Sequence, residues 1–516
     1  MFRKDYAMIT VQVSNKQLHE IKANGYVIFC EQGKPLTKEQ AAWCTPFFAE
    51  SQQILDAVGF SGATNACHVI TGLNKGKPAY LIFAGIGSLA IKQVDKIEHY
   101  RRALGNIIRV AERFKMSTLA MPFLRAKDFG IDDTALAKET LISLEMSIYH
   151  FDQFITDKKR HVNEEYTITI CAPTSHHDAI EVGAEMGIRI GHAVNQARQW
   201  CDLPPNVLNP VHLAEQAQHI AKPHDNLKCK ILTGKECREL GMGGVQAVSQ
   251  GSANDSRFVI MEYSSGKKKA QKIGLVGKGV TFDSGGLSIK PAQGMEDMKD
   301  DMAGAAAVIA TMQAIAYLKP DVDVVAITPL VENMPSGTAF RPGDIIGHYN
   351  GLTSEVRNTD AEGRLILADA LSYMTKHYNV NALIDIATLT GSCSQALGAF
   401  FAGLMSKNDE FSARLIETGK TSGDWLWPLP FHDDYRVAVR SEVADVCNIS
   451  KPNYRAGAIM AGFFLAHFVD EKTPWIHLDI AGTSYNIPDR SYLRGGGASG
   501  FGVRLFVEML MSWKPL

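Results

Sequence analysis

Apolar positions along the chain follow two periods. Short runs rich in Val, Ile and aromatic residues alternate with longer stretches in which apolar residues recur every three or four positions, the patterns of strands and of amphipathic helices. In the first third, Tyr26–Cys30, Ala79–Ala84, Thr118–Phe123 and Thr167–Ala172 read as buried strands, with helices over Ile91–Phe114 and Asp133–Phe151. A long helix from about Ala179 to Cys201 runs into Asp202-Leu-Pro-Pro-Asn-Val-Leu-Asn-Pro210, whose prolines must stop it. Strands then follow at Phe258–Tyr263, Ile273–Val276, Val324–Leu330, Ala382–Ala387 and Ile476–Ile480, covered by helices at Met302–Leu318, Leu365–His377, Ala456–Val469 and Gly500–Met511. This alternation predicts an α/β fold of two domains, each a mainly parallel sheet flanked by helices. The boundary is expected within the long helix or just before it, giving an N-terminal domain over 1–178 and a C-terminal domain over 179–516.

Two glycine-rich segments are too polar to be ordinary core. The first reads Val276-Gly-Lys278-Gly-Val-Thr-Phe-Asp283-Ser-Gly-Gly, continues to Lys290 and reaches Asp301; the second is Asn358-Thr-Asp360-Ala-Glu362-Gly-Arg364-Leu. Lys278 and Asp283 follow the strand ending at Val276, and Asp301 precedes a helix, so the group falls where open α/β sheets carry their sites. Asp360 and Glu362 are two apart, which in extended chain points both carboxylates the same way. Four carboxylates and a lysine so placed can hold two divalent cations, an arrangement that generates a hydroxide nucleophile and clamps a carbonyl at neutral pH. A two-metal hydrolase with its site in the C-terminal domain is the expectation.

Blander readings account for other features. Gly277-Lys-Gly279 could open a dinucleotide fingerprint, but Phe282 stands where the third glycine belongs. Asp283 and Asp301 taken singly could be turn or helix caps. His212, Glu215 and His219 share a helical face without forming H-E-x-x-H and read as exposed polar surface, while His176-His177 reads as loop. There is no G-x-S-x-G, which argues against a serine hydrolase. At 516 residues the chain has room for two domains, and 46% hydrophobic with 21% charged residues is near the globular average. A formal charge of −2 supplies no field for nucleic acid or an anionic membrane. The start, Met1-Phe-Arg-Lys-Asp-Tyr-Ala-Met, has no signal-like apolar stretch, and no run elsewhere is expected to span a membrane. Nine cysteines scattered from Cys30 to Cys447 without C-x-x-C fit reduced thiols in a cytoplasm. Cys393, close to the site region, reads as a small buried apolar residue.

The segments Gly277-Lys-Gly-Val-Thr-Phe-Asp-Ser-Gly-Gly286 and Asn358-Thr-Asp-Ala-Glu-Gly-Arg-Leu365 resemble the signatures of the cytosolic leucyl aminopeptidase family of metallopeptidases. Glu332-Asn-Met-Pro-Ser-Gly, Arg341-Pro-Gly-Asp344, Ala387-Thr-Leu-Thr-Gly391 and Ala456-Gly-Ala458 match as well. The likeness covers roughly residues 190 to 516; the first 180 match only in length and α/β character. By this resemblance Asp283 and Glu362 bridge two metals, Lys278 and Asp301 complete the tighter site, and Asp360 completes the more exchangeable one. A lysine can ligate only as the neutral amine, and two neighbouring dications would depress its pKa. Oxygen ligands with one nitrogen suit Zn or Mn, with Mg or Co also accommodated.

The resemblance further implies removal of the first residue of peptides with a free N-terminus. Lys290 would stabilise the oxyanion, and Arg364 would hold a bicarbonate that serves as general base. Met298, Asn358, Ala361, Thr388, Leu389 and Gly391 match positions that line the first side-chain pocket or contact the substrate backbone, and imply a preference for Leu and other apolar residues. A cytoplasmic homohexamer is implied too. Arg357, and Ser499 in Gly497-Ala-Ser-Gly500, depart from the usual pattern without touching a proposed ligand. Two rival functions are an additional DNA-binding role and a two-metal phosphoesterase; the near-neutral charge speaks against the first and the Asn358–Leu365 signature against the second.

Overall fold

A computed structural model of the chain describes residues 8–74, 77–157 and 165–516. Met1–Ala7, read above for a leader, lies outside the described residues. The backbone divides into two compact units, Met1–Asn195 with Pro488–Gly495 and Gln196–Ile487 with Gly496–Leu516. The division falls inside the long helix, which runs His177–Asp202 and stops at the expected prolines. The return of 488–495 to the first unit is not visible in the sequence. Its anchor is Tyr492, fully buried, whose hydroxyl donates to Glu98 at 3.0 Å.

The first unit holds strands β1 (Met8–Ser14), β2 (Gly25–Cys30), β3 (Cys67–Asn74), β4 (Lys77–Gly85), β5 (Thr118–Pro122) and β6 (Glu165–Cys171) in the order β1-β6-β5-β2-β4-β3. All neighbours are parallel except the β3/β4 hairpin. Helices Gln93–Arg113 and Asp133–Ile148 pack their apolar faces onto it, with Ile107, Ile108, Leu141 and Leu144 fully buried.

The second unit carries β7 (Leu227–Thr233), β8 (Arg257–Tyr263), β9 (Lys272–Gly277), β10 (Gly279–Asp283), β11 (Asp323–Asn333), β12 (Ile345–Gly347), β13 (Thr353–Glu355), β14 (Ala382–Ala387), β15 (Ala402–Ser406), β16 (Leu426–Pro428), β17 (Val446–Cys447) and β18 (Trp475–Asp479). Its main sheet has the order β16-β15-β18-β14-β9-β11-β8-β7, with β10 paired to β11; β12, β13 and β17 form a small separate sheet. The run β18, β14, β9, β11, β10 is mutually parallel, so the carboxyl ends of these strands share one edge. That edge is where the site forms. Near-continuous apolar sequence in β9, β11 and β14 follows from helices covering both faces.

Two expectations need correction. Lys278 and Asp283 were read as following a single strand, yet Gly279–Asp283 is itself a strand, β10, because Val280, Thr281 and Phe282 favour extended chain and β11 is long enough to pair with it. A membrane-length apolar run was not expected either. The helical stretch Met295–Leu318 is long and apolar enough to qualify, but 83% of its most apolar 18 residues is buried inside the protein, as a core helix requires.

Candidate metal centre

Five strand ends deliver the site. Lys278 leaves β9, Asp283 closes β10, Asn333 closes β11, Thr388 follows β14 and Asp479 closes β18. Two helix starts complete it. Asp301 lies between a 3-10 turn, Met295–Asp300, and the helix Ala303–Leu318, while Asp360 and Glu362 precede the helix Gly363–His377. The sequence brings these together through glycines that permit close packing. A β-carbon at Gly363 would lie 2.4 Å from Lys278 Cε, and Gly285, at φ +84°, lets the chain turn tightly beneath Asp360.

Oxygens of Asp283, Asp301 and Glu362 all lie within 4.8 Å of one another, and all three residues are buried. Lys278 Nζ contacts Asp301 Oδ1 at 2.7 Å, Glu362 Oε1 at 3.0 Å and the carbonyl of Thr388 at 2.8 Å. Lys290 Nζ contacts Asp283 Oδ2 at 2.7 Å and Asp360 Oδ1 at 2.6 Å. Four carboxylates thus face two ammonium groups, an excess of negative charge in a buried space. Such an excess is costly unless a cation balances it. Asp301 Oδ2 and Glu362 Oε2 are buried without a hydrogen-bond partner among the described residues. Unpartnered carboxylate oxygens converging at this spacing fit a divalent cation.

The titration of the group reflects its crowding. Burial and then the charge of Glu362 push Asp283 up to about 6 against the pull of Lys290 and Lys278. Burial likewise raises Asp301, although Lys278 opposes it, and raises Asp360. Glu362 goes the other way: burial resists its charge, but Lys278 and Lys290 outweigh burial and hold it below the usual carboxylate range. Burial works against charged Lys278 too, yet Asp301 and Glu362 keep its ammonium above the ordinary lysine range, and Asp283 and Glu362 do the same for Lys290. With the chain's own charges alone, both lysines are cations.

Arg364, in the first turn of Gly363–His377, is buried; its Nη1 donates to the carbonyl of Asn448 at 2.8 Å, and its Nε has no partner among the described residues. Burial lowers its pKa. Thr388 joins the cluster directly, its hydroxyl donating to Asp301 Oδ1 at 2.8 Å. Asn358 Oδ1 accepts from Asp360 N at 2.8 Å, and the carbonyl of Asn358 accepts from Ala361 N at 3.3 Å, which shapes the turn between them. Ala361 is buried, Leu389 and Met298 are half-buried, and Gly391 is exposed at the start of a short helix, Gly391–Leu397. Met298 lies on the 3-10 turn, three residues before Asp301.

Three organising residues are absent from the site expected from the sequence. Asn333 Nδ2 donates to Asp283 Oδ1 at 2.8 Å and to the carbonyl of Thr359 at 3.0 Å. Asp479 accepts from Leu389 N at 3.2 Å, Thr390 N at 3.3 Å and the Thr390 hydroxyl at 2.6 Å. Asn448 holds the Asn358 turn from outside. Only Asn333 lies in a stretch that matched the family, Glu332-Asn-Met-Pro-Ser-Gly, so only it carried a signal. Arg357 is exposed and paired with Glu355 at 2.9 Å, away from the carboxylates. Cys393 is buried, and burial pushes its thiol up. Glu215 and His219 lie exposed on the helix Pro210–Ala221.

Comparison with known proteins agrees with this architecture over the whole chain. Residues 195–507 match the model of the cytosol aminopeptidase family catalytic domain, and residues 27–158 match that family's N-terminal domain. A probable cytosol aminopeptidase of Chlorobaculum parvum is 39% identical over 512 residues, covering 97% of this chain and 99% of that protein. Among solved structures, a tomato leucine aminopeptidase variant superposes with TM-score 0.85 at 28% identity, covering 99% of this chain and 97% of the other. The bottromycin maturation enzyme BotP in complex with Mn superposes with TM-score 0.82 at 28% identity, covering 95% of this chain and 99% of the other. Two family domains in order, near full-length identity of this degree and a shared fold leave one conclusion: the chain belongs to the cytosol aminopeptidase family.

Proposed function

We propose that this aminopeptidase is a two-metal exopeptidase that removes Leu and other apolar residues from the free N-terminus of peptides. The observation that carries the reading is the convergence of Asp283, Asp301 and Glu362 oxygens within 4.8 Å, two of these carboxylates having an unpartnered buried oxygen. Asp283 and Glu362 would be shared by both ions, Lys278 and Asp301 would complete one site and Asp360 the other. When bound, two divalent ions would supply Lewis acidity for the scissile carbonyl and a nucleophile from water at neutral pH. Zn and Mn suit this mainly oxygen donor set, and BotP, a structural relative, was solved with Mn.

The chain's own residues supply the rest. Lys290, paired with Asp283 and Asp360, would donate to the carbonyl oxygen as negative charge develops there. Lys278 would hold an ion only as the neutral amine, whereas Asp301 and Glu362 on their own keep it an ammonium. Arg364 Nε is the donor for a bicarbonate, which would supply a general base. Met298 and Ala361 would form an apolar pocket wall and Asn358, Thr388, Leu389 and Gly391 would orient the peptide backbone. A free α-amine is needed because an amide nitrogen has no lone pair to offer a metal. The cytoplasmic homohexamer belongs to this reading and rests on family membership.

A panel of aminoacyl anilides, assayed after chelation and re-addition of single metals, tests it. Activity restored by Zn or Mn and highest on leucyl or methionyl anilides is expected. Full activity in chelator, or equal cleavage of N-acetylated substrates, would overturn it.

A further inference from the structure

Asn448 lies just past β17, 84 to 93 residues beyond the segment it touches, and is completely buried. All of its polar groups face Glu355–Arg364. Its Oδ1 accepts from Arg357 N at 2.8 Å and Asn358 N at 3.4 Å, while its Nδ2 donates to the carbonyls of Asn358 at 2.6 Å and Ala361 at 3.4 Å. Its backbone N–H donates to the carbonyl of Glu355 at 3.0 Å, and its carbonyl accepts from Arg364 Nη1 at 2.8 Å.

We propose that Asn448 is a positioning residue for the reaction, a template whose amide fixes the Asn358–Glu362 turn and whose carbonyl fixes Arg364. The proposal rests on the two-metal reading of the site. The geometry explains why an asparagine is needed. A turn that aims two carboxylates inward leaves the carbonyls of Asn358 and Ala361 pointing away from them, and the N–H groups of Arg357 and Asn358 also need an acceptor. One amide side chain answers both demands, since it donates on one edge and accepts on the other. No hydrophobic residue can, and a carboxylate would set oxygen against the two carbonyls. Arg364 is held by the same residue at one nitrogen, which leaves Nε for another partner. The residue therefore sets the relative placement of Asp360, Glu362 and Arg364, although it touches no reacting atom. Displacements on the order of 1 Å in such supports lower rates by about 10²-fold.

The test compares Asn448→Asp, Asn448→Ser and Asn448→Ala in the full chain. A role limited to filling space predicts that the isosteric Asp variant stays near the parent and Ala is worst. Templating by the amide predicts the reverse: Asn448→Asp loses about 10²-fold in kcat, at least as much as Asn448→Ala, while KM for leucyl anilide changes by about threefold or less. Amide hydrogen exchange read by mass spectrometry should speed up in fragments covering 355–362 and stay unchanged in β14. That measurement does not need activity, so failure of the peptidase reading and failure of this proposal are distinguishable. A kcat for Asn448→Asp within about threefold of the parent, or unchanged exchange over 355–362, would overturn the proposal. Failure of all three variants to fold would overturn it as well, because Asn448 would then determine the fold and not the turn.

Discussion

Lys290 Nζ lies 2.7 Å from Asp283 Oδ2, while the other lysine of the site, Lys278, turns to Asp301 and Glu362. The two cations thus divide the four carboxylates between them. They differ in burial. Lys278 keeps 3% of its side chain exposed and Lys290 keeps 21%, so Lys290 is the more accessible of the two.

This division predicts that the lysines fail differently. Lys278→Ala removes a donor from the buried cluster and should lower bound metal together with activity. Lys290→Ala removes a competitor of metal for Asp283, so metal content should hold or rise while kcat falls by about 10² to 10³, as for other oxyanion donors. Arg364→Ala should lower kcat more modestly and erase any stimulation by bicarbonate. Metal stoichiometry and kinetics with and without bicarbonate check all three. Equal metal loss in both lysine variants would refute the division of labour.

Removing the charge of Asp283 or of Glu362 is the second prediction. Asp283→Asn or Glu362→Gln keeps the volume but deletes a negative charge at the centre of the cluster, where an oxygen of each lies within 4.8 Å of Asp301. Activity should fall below detection and bound metal should drop, measured by atomic absorption after dialysis. Near-normal turnover with full metal would take the residue out of the site.

Much of this cluster is legible in the sequence because its charged residues sit in two compact, glycine-rich polar segments between apolar strands. Lys278, Asp283, Asp301, Asp360 and Glu362 stand out there by type and context. Asn448 and Asp479 do not. Each is a single polar residue in an ordinary context, and its role arises from hydrogen bonds to chain about 90 residues away in sequence. The fold shows the same asymmetry. Apolar runs such as Ala382–Ala387, interrupted only by Asp385, are plain, whereas β10 is disguised by Gly279 and its polar end. The alternating Ile9-Thr-Val-Gln-Val13 of β1 escapes a reading that looks for fully buried runs.

The raised pKa of Asp283 gives a pH prediction. Its folded value of about 6 exceeds the usual 3.8, so between these limits the folded state binds more protons than the unfolded state. Stability from this group is therefore present at low pH and falls as pH rises through that window. A divalent cation would replace the proton and reverse the trend. Thermal melts of chelated protein with and without Mn at pH 5, 6 and 7 should show a Mn-induced rise in Tm that grows with pH. The same shift at pH 5 and pH 7 would exclude proton and metal competition at this carboxylate.

The loop that follows β14 supplies the last prediction. Thr388 is fastened to the carboxylate cluster, through its carbonyl on Lys278 and its hydroxyl on Asp301, whereas Leu389 and Thr390 are fastened to Asp479. The two anchors do different things. The first ties the loop to the charges, and the second sets the height of the backbone over which a substrate would lie. Asp479→Ala leaves the N–H groups of Leu389 and Thr390 without their acceptor, a loss of about 1 to 3 kcal/mol if they stay buried. Water entering beside them would relieve that cost by letting the loop move. KM for leucyl anilide should then rise by about tenfold, with metal content unchanged and kcat reduced less. Asp479→Asn keeps one carbonyl oxygen for the Leu389 and Thr390 amides, and the Thr390 hydroxyl can turn to accept from the new amide, so its KM should rise by about threefold or less. Equal damage from both variants would show that the charge of Asp479, and not its acceptor geometry, holds the loop. That charge lies close enough to Arg364 to favour its guanidinium form, so such an outcome would tie the loop to the arginine.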